Sequence, residues 1–222
     1  MMAKIKYAML MLGFTALLTL NIKTPAQGKI GVRYATLPGS LLWIDGTSNV
    51  DNFTCKTNKV NGYADIEKLS NTNSSSKDSD KVYVSVAVES LDCGKDLMNE
   101  DMFAAMKAGQ FPIIKYELLD ANLDSNPDST GKWFTLDTRG NLYIAGEKNT
   151  VEIKMQVEKL ANGIYRLTGS KLLSMLDFGI IPPSHFFGLI KAHDKLVVHF
   201  DLIAARQNFS GSPLHQNQYL AK

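Results

Sequence analysis

The sequence predicts an all-β protein interrupted by one short helix. Two observations carry that expectation. Apolar and polar residues alternate at period two in run after run beyond residue 40, and the runs are separated by Gly-, Asn-, Asp- and Ser-rich connections. A helical period appears once, between residues 97 and 106, where Leu97, Met98, Met102, Ala105 and Met106 recur at three- and four-residue spacing. Such a pattern suits a β-barrel or a two-sheet sandwich.

The N-terminus stands apart. Lys4 and Lys6 precede an apolar run over residues 7–20, and Thr24-Pro25-Ala26 places small residues at the −3 and −1 positions of a cleavage site. This is the pattern of a secretory signal peptide, cut after Ala26. The competing readings are an uncleaved anchor and a buried helix, but the run is shorter than the ~20 residues that span a bilayer. No Cys follows it, which argues against a lipoprotein anchor. Residues 1–26 contain Lys4, Lys6 and Lys23 and no acid, so their removal takes the formal charge from +2 down by three to −1. The mature chain has no basic excess with which to bind nucleic acid. Residues 27–40 read as a lead-in, 41–206 as one barrel domain and 207–222 as a polar tail.

Strands are expected over residues 41–44, 53–66, 82–88, 113–118, 133–136, 142–145, 151–157, 165–173 and 196–203. Val82, Val84, Val86 and Val88 share one face of the third. Arg139-Gly140-Asn141 and Ala161-Asn162-Gly163 read as hairpin turns. Residues 70–80 and 120–131 read as solvated loops. The helix is expected over 98–108, stopped by Gly109, with Pro112 blocking its return. A lone amphipathic helix between two strands of a β-protein covers something.

The inventory of reactive groups is thin. His185, His193, His199 and His215 form no metal-ligand spacing, and there is no GxSxG elbow or Gly-rich phosphate loop. Asp45, Asp65, Glu89, Asp92, Asp177 and Asp201 are scattered beside strands. No catalytic residue, metal site or cofactor is therefore expected, and the chain is read as a non-enzyme. Two apolar features stand out instead. Residues 172–190, LLSMLDFGIIPPSHFFGLI, are too apolar for an exposed loop, and Pro182-Pro183 prevents regular structure. Either they plug one end of the fold, or Phe178, Ile180, Ile181, Phe186 and Phe187 line an apolar mouth. Met98, Met102, Met106, Met155 and Met175 form an adaptable set suited to irregular apolar space.

Four blocks carry a family resemblance: WIDGTSNVDNFTC (43–55), VESLDCGKDLMNEDMFAAMKAGQFPIIKYEL (88–118), GNLYIAGEKNTVEIKMQV (140–157) and GSKLLSMLDFGIIPPSHFFGLIKAHDKLVVHFDL (169–202). In this order behind a signal peptide, the chain resembles the YceI-like family of exported bacterial proteins. The better-studied branch of that family commonly carries a His after the Ser of the first block, and residues 47–51 here contain none. The resemblance implies an extended, lipocalin-like antiparallel β-barrel with an apolar tunnel. It implies a periplasmic or secreted carrier of an isoprenoid-like lipid, with no stable membrane span after cleavage. The alternative function is a packed barrel with a structural or protein-interaction role in the envelope. The sequence leaves the oligomeric state open, a homodimer included.

Candidate ligand-lining residues in such a barrel are Val84, Val86, Ile114, Tyr116, Leu142, Ile144, Ile153, Met155, Leu167 and Phe200. Met102 and Met106 of the helix and Phe178, Ile180, Phe186 and Phe187 of the late loop join them. If the strands on either side of loop 70–80 form a hairpin with roughly equal arms, Cys55 and Cys93 lie opposite each other. A Cys55–Cys93 disulfide is the expectation, since an exported chain meets an oxidising compartment.

Overall fold

A computed structural model of the chain describes residues 31–67, 81–125, 129–185 and 189–207. The strands in chain order are β1 (Gly31–Thr36), β2 (Leu41–Ser48), β3 (Asn52–Thr57), β4 (Val60–Glu67), β5 (Lys81–Ala87), β6 (Ile113–Ser125), β7 (Trp133–Ile144), β8 (Glu147–Lys159), β9 (Ile164–Ser174), β10 (Ser184–His185) and β11 (Ile190–Gln207). One α-helix, α1 (Asp96–Ala105), lies between β5 and β6. Among the described residues, β1, β4, β5, β6, β7, β8, β9 and β11 close an antiparallel barrel through the β1–β11 pairing.

Two long strands of this barrel are each broken once. β1 and β2 run one after the other along β11, and the break between them is braced by Ser40. Its buried hydroxyl donates to the Leu37 carbonyl at 2.8 Å and accepts from the Ile203 amide at 3.0 Å. β3 and β4 are broken at residues 58–59. The result is that β2 and β3 form a hairpin extending the sheet beyond the closed part of the barrel.

Register fixes which face points inward. Val84 sits opposite Tyr116, which sits opposite Leu142; Val86 sits opposite Ile114. Leu136, Met155, Gly169 and Phe200 form a second cross-strand row. The inward positions are mostly aliphatic, as burial requires. Outward positions pair their charges, along one strand for Lys115 with Glu117 at 2.8 Å and across strands for Arg166 with Asp201 at 2.6 Å and Lys154 with Asp124 at 3.0 Å. These pairs place polar atoms on the wet face and contribute little stability individually.

The structure differs from the sequence reading in several places. Residues 31–36, read within the lead-in, form β1, which closes the barrel. Arg139-Gly140-Asn141 is no turn: β7 runs straight through it, and the hairpin falls at Ala145-Gly146. Gly140 is there because the Tyr116 ring lies across its inward face, where a Cβ would overlap the ring. Part of the 120–131 loop is strand, since β6 continues through a bulge between Leu118 and Asp120 as far as Ser125. The helix ends at Ala105 rather than near Gly109. Lys107 adopts the left-handed turn at φ 54°, with Lys107 N–H donating to Ala104 O at 3.0 Å and Ala108 N–H to Phe103 O at 2.9 Å. That pair of bonds is a Schellman closure.

Candidate ligand-binding site at the helix end of the barrel

β3 does not continue the β4–β5 ladder. The last regular pair is Val60↔Val86; beyond it a single bridge joins Lys56 and Asp92, two residues out of register. A 3-10 turn over Val88–Ser90 takes up the slip. Cys55 and Cys93 follow that bridge and are joined as a disulfide. The hairpin argument thus placed the right residues together, although the arms are unequal.

Immediately after Cys93 the chain is turned into α1. The Asp92 carboxylate accepts from Gly94 N–H at 2.8 Å and from Asn99 Nδ2 at 3.2 Å, and Asn99 Oδ1 accepts from Cys93 N–H at 2.7 Å. These donors, the Gly94 amide first, hold the Asp92 carboxyl below the usual carboxylate range. Opposite α1, the segment after β9 is anchored by Asp194. Its carboxylate accepts from Leu176 N–H at 2.9 Å and Ser174 Oγ at 2.7 Å, and Met175 N–H donates to the Asp194 carbonyl at 3.0 Å. The chain then winds through a 3-10 turn, Leu176–Phe178, and leaves it at Gly179 with φ 62°.

Between these two covers and the β2–β3 hairpin lies a cavity of about 340 Å³. Its lining is almost wholly apolar. β2 and β3 give Ile44, Phe53 and Cys55; α1 and its closing turn give Met98, Met102, Ala105 and Met106; the late loop gives Met175, Ile180 and Pro183; β11 gives Ile190, Ala192 and Leu196. Its rim is mixed: Val50 and Leu97 stand there beside Ser48, Asp51, Asn52, Lys95 and Asp101. The volume lies in the range of small-molecule sites.

Of the sequence-predicted residues, Met102, Met106 and Ile180 meet at this cavity. Phe178 is 2% exposed and packs with Val88, Met106, Ala108, Ile144, Ala145, Met175 and Ile180, so it plugs the barrel end beside the cavity. Ile144 belongs to the same cluster, and Val86 packs with Ile44, Val60 and Leu91. Val84, Ile114, Tyr116, Leu142, Ile153, Met155, Leu167 and Phe200 face the barrel interior yet keep part of their surface accessible. A small barrel packed solid buries such positions, and these are only partly buried. Two rings divide the interior: Tyr116 lies over Gly140 and Phe200 over Gly169. Burial pushes the Tyr116 phenol up, and its O–H donates to Thr138 Oγ1 at 3.4 Å. Phe186 and Phe187 lie outside the described residues.

The contribution of β2–β3 was missed. Ile44 and Phe53 line the cavity, and no periodicity marks them as different from other strand residues. The usable signal was the 43–55 block, which carried the family resemblance without being assigned to a site.

A second opening, of about 550 Å³, pierces the wall between β8 and β9. The β8–β9 ladder runs from Lys159↔Tyr165 to Met155↔Gly169 and stops, whereas β9 stays paired with β11 as far as Ser174↔Lys195. The gap is lined from both faces of the sheet: by Val151, Lys171 and Leu173 of the inward set, and by Thr150, Glu152 and Leu172 of the outward set. Among the described residues no group of acidic, His or Cys side chains is placed to hold a metal ion.

A closed antiparallel barrel with one covering helix and an apolar cavity at its end defines a lipocalin-like binding fold. The chain belongs to the YceI-like family, whose domain matches residues 26–204. Two solved structures show the same fold. One is the Burkholderia cenocepacia protein BcnA, with a TM-score of 0.57 at 14% identity, covering 74% of this chain and 96% of that one. The other is a polyisoprenoid binding domain from Saccharophagus degradans implicated in plant cell wall breakdown, with a TM-score of 0.58 at 11% identity, covering 79% of this chain and 98% of that one. No curated protein sequence matches the chain significantly.

Proposed function

We propose that this protein is an exported, non-enzymatic carrier that holds an isoprenoid-like or other apolar amphiphile in its barrel. The observation that carries the reading is the methionine-faced cavity between α1, the β2–β3 hairpin and the 175–183 segment. A polyprenyl chain offers few polar handles, so affinity must come from apolar burial, about 25 cal/mol per Å² removed from water. Unbranched methionines adapt to such a chain better than rigid aliphatics. The binding of a polyisoprenoid by the Saccharophagus domain of the same fold supports this choice of ligand class. Export through residues 1–26, with cleavage after Ala26, and a periplasmic or secreted location belong to the same reading, and the Cys55–Cys93 disulfide suits an oxidising compartment. Among the described residues no helix is long and apolar enough to cross a membrane.

Organic extraction of the purified protein followed by mass spectrometry tests the proposal. A stoichiometric apolar molecule is the expected result. A ligand-free extract, together with no uptake of added farnesol, would overturn it. That outcome would favour the second reading, a packed barrel acting in envelope structure or protein interaction, for which the Tyr116 and Phe200 rings across the interior speak.

A further inference from the structure

We propose that Lys171, in the gap between β8 and β9, is a headgroup site: its ammonium takes the anionic end, carboxylate or phosphate, of an amphiphile whose chain lies in the barrel. The inference rests on the carrier reading and narrows the ligand to an acidic one. The inward column of β9 reads Tyr165, Leu167, Gly169, Lys171, Leu173, opposite Ala204, Leu202, Phe200, Val198 and Leu196 of β11. That ladder has no register slip, so Lys171 stands on the inward side, opposite Val198. Away from the barrel ends it is the one charged residue at a described inward position, in a column otherwise apolar or aromatic. A cation half-buried among aliphatic groups is costly unless it is paired. Lys171 is half-buried, and its ammonium makes no hydrogen bond or ion pair with the described residues.

The other cation at the opening is committed elsewhere. Arg139 binds Asp120 through Nε at 2.9 Å and Nη2 at 2.6 Å. Glu152 and Asp177 also line the gap, but Glu152 belongs to the outward face of β8, and Asp177 sits on the turn after β9. The charge of the opening as a whole is close to balanced. An anion held from the barrel side meets the ammonium first, while one arriving from solvent meets the carboxylates. The break in the β8–β9 ladder gives the ammonium its access. In an unbroken wall Lys171 would be sealed inside, whereas here its head stands where water and a polar group can reach it.

The test compares two probes of one chain length, farnesol and farnesyl phosphate, by isothermal titration on the full mature protein and on K171M and K171R. Wild type should bind farnesyl phosphate about tenfold or more tightly than farnesol, the gain of a charge-assisted contact. K171M should bind farnesol as wild type does and lose most of the preference, and K171R should retain it. Equal affinity of wild type for the two probes, or a K171M protein that keeps the preference, overturns the headgroup site and leaves the carrier reading standing. Failure of wild type to bind either probe overturns both.

Discussion

α1 and the turn after β9 cover the same end of the barrel by opposite means. Each is held by an aspartate, Asp92 for the helix and Asp194 for the turn, and each carboxyl lies below the usual range because backbone and side-chain donors converge on it. Beyond that they diverge. No residue of α1 itself is fully buried, and the helix is fastened by a disulfide just before it. The turn has no covalent tie, but it buries Phe178 and Ile180 to 2% and 5% exposure. A cover that packs tightly leaves no room for a ligand. A cover that leaves room forgoes packing energy and needs another attachment. The cavity lies between the two covers, and the pinned, loosely packed helix with its closing turn gives more of its lining than the 175–183 segment does.

The largest effect should come from removing the pin. The disulfide closes a separation of 38 residues, and its loss in C55S/C93S should cost about 3 kcal/mol in chemical denaturation. Hydrogen exchange should localise the change, with faster exchange in α1 and at the Lys56–Asp92 bridge and little change in β6–β9. Unaltered exchange across α1 would mean that the Schellman closure and the methionine contacts hold the helix unaided, and the contrast between the two covers would collapse.

The legible and illegible parts of this end follow from the kind of signal each residue gives. Val82, Val84 and Val86 announce their face through alternation, because one side of β5 is apolar. The helical methionines announce theirs through a change of period. Cys55 and Cys93 were found from chain separation alone, while the two-residue slip that lets them meet is a tertiary event at the Val88–Ser90 turn. Gly140 was misread because Gly-Asn is a turn signal locally, and the ring that requires a glycine there comes from Tyr116 on the neighbouring strand. β1 was missed because six residues beside a targeting segment carry little pattern of their own. Nothing in the sequence singles out Lys171, because only the register of β9 on β11 fixes its side.

Acid should separate the two covers next. A carboxyl held below its ordinary range contributes stability that is complete above its unfolded pKa, near 4, and is lost as pH falls through the folded value. Both Asp92 and Asp194 therefore weaken their segments below about pH 4. Only the turn lacks a covalent tie, so packing and hydrogen bonds are all that attach it. Exchange at Met175, Leu176 and Gly179 should accelerate on acidification before exchange in α1 does, and D194N should reproduce that acceleration at neutral pH. If α1 opens first, the disulfide fastens the chain at Cys93 without holding the helix behind it.

The smallest effect concerns how the helix is closed. Lys107 occupies a left-handed position at φ 54° that costs a non-glycine residue about 1 kcal/mol. Glycine removes that strain but adds freedom to the unfolded chain. Lys107→Gly should thus stabilise the protein by only about 0.5 kcal/mol, read as a higher denaturation midpoint with an unchanged slope. The sign is informative. Ala108 beyond Lys107 is buried against Val88 and Phe178, so the left-handed turn carries the chain from the loose helix back into the packed cluster of the other cover. A destabilising Lys107→Gly would show that the lysine stem packs at this junction and that the two covers are joined by more than the Schellman bonds.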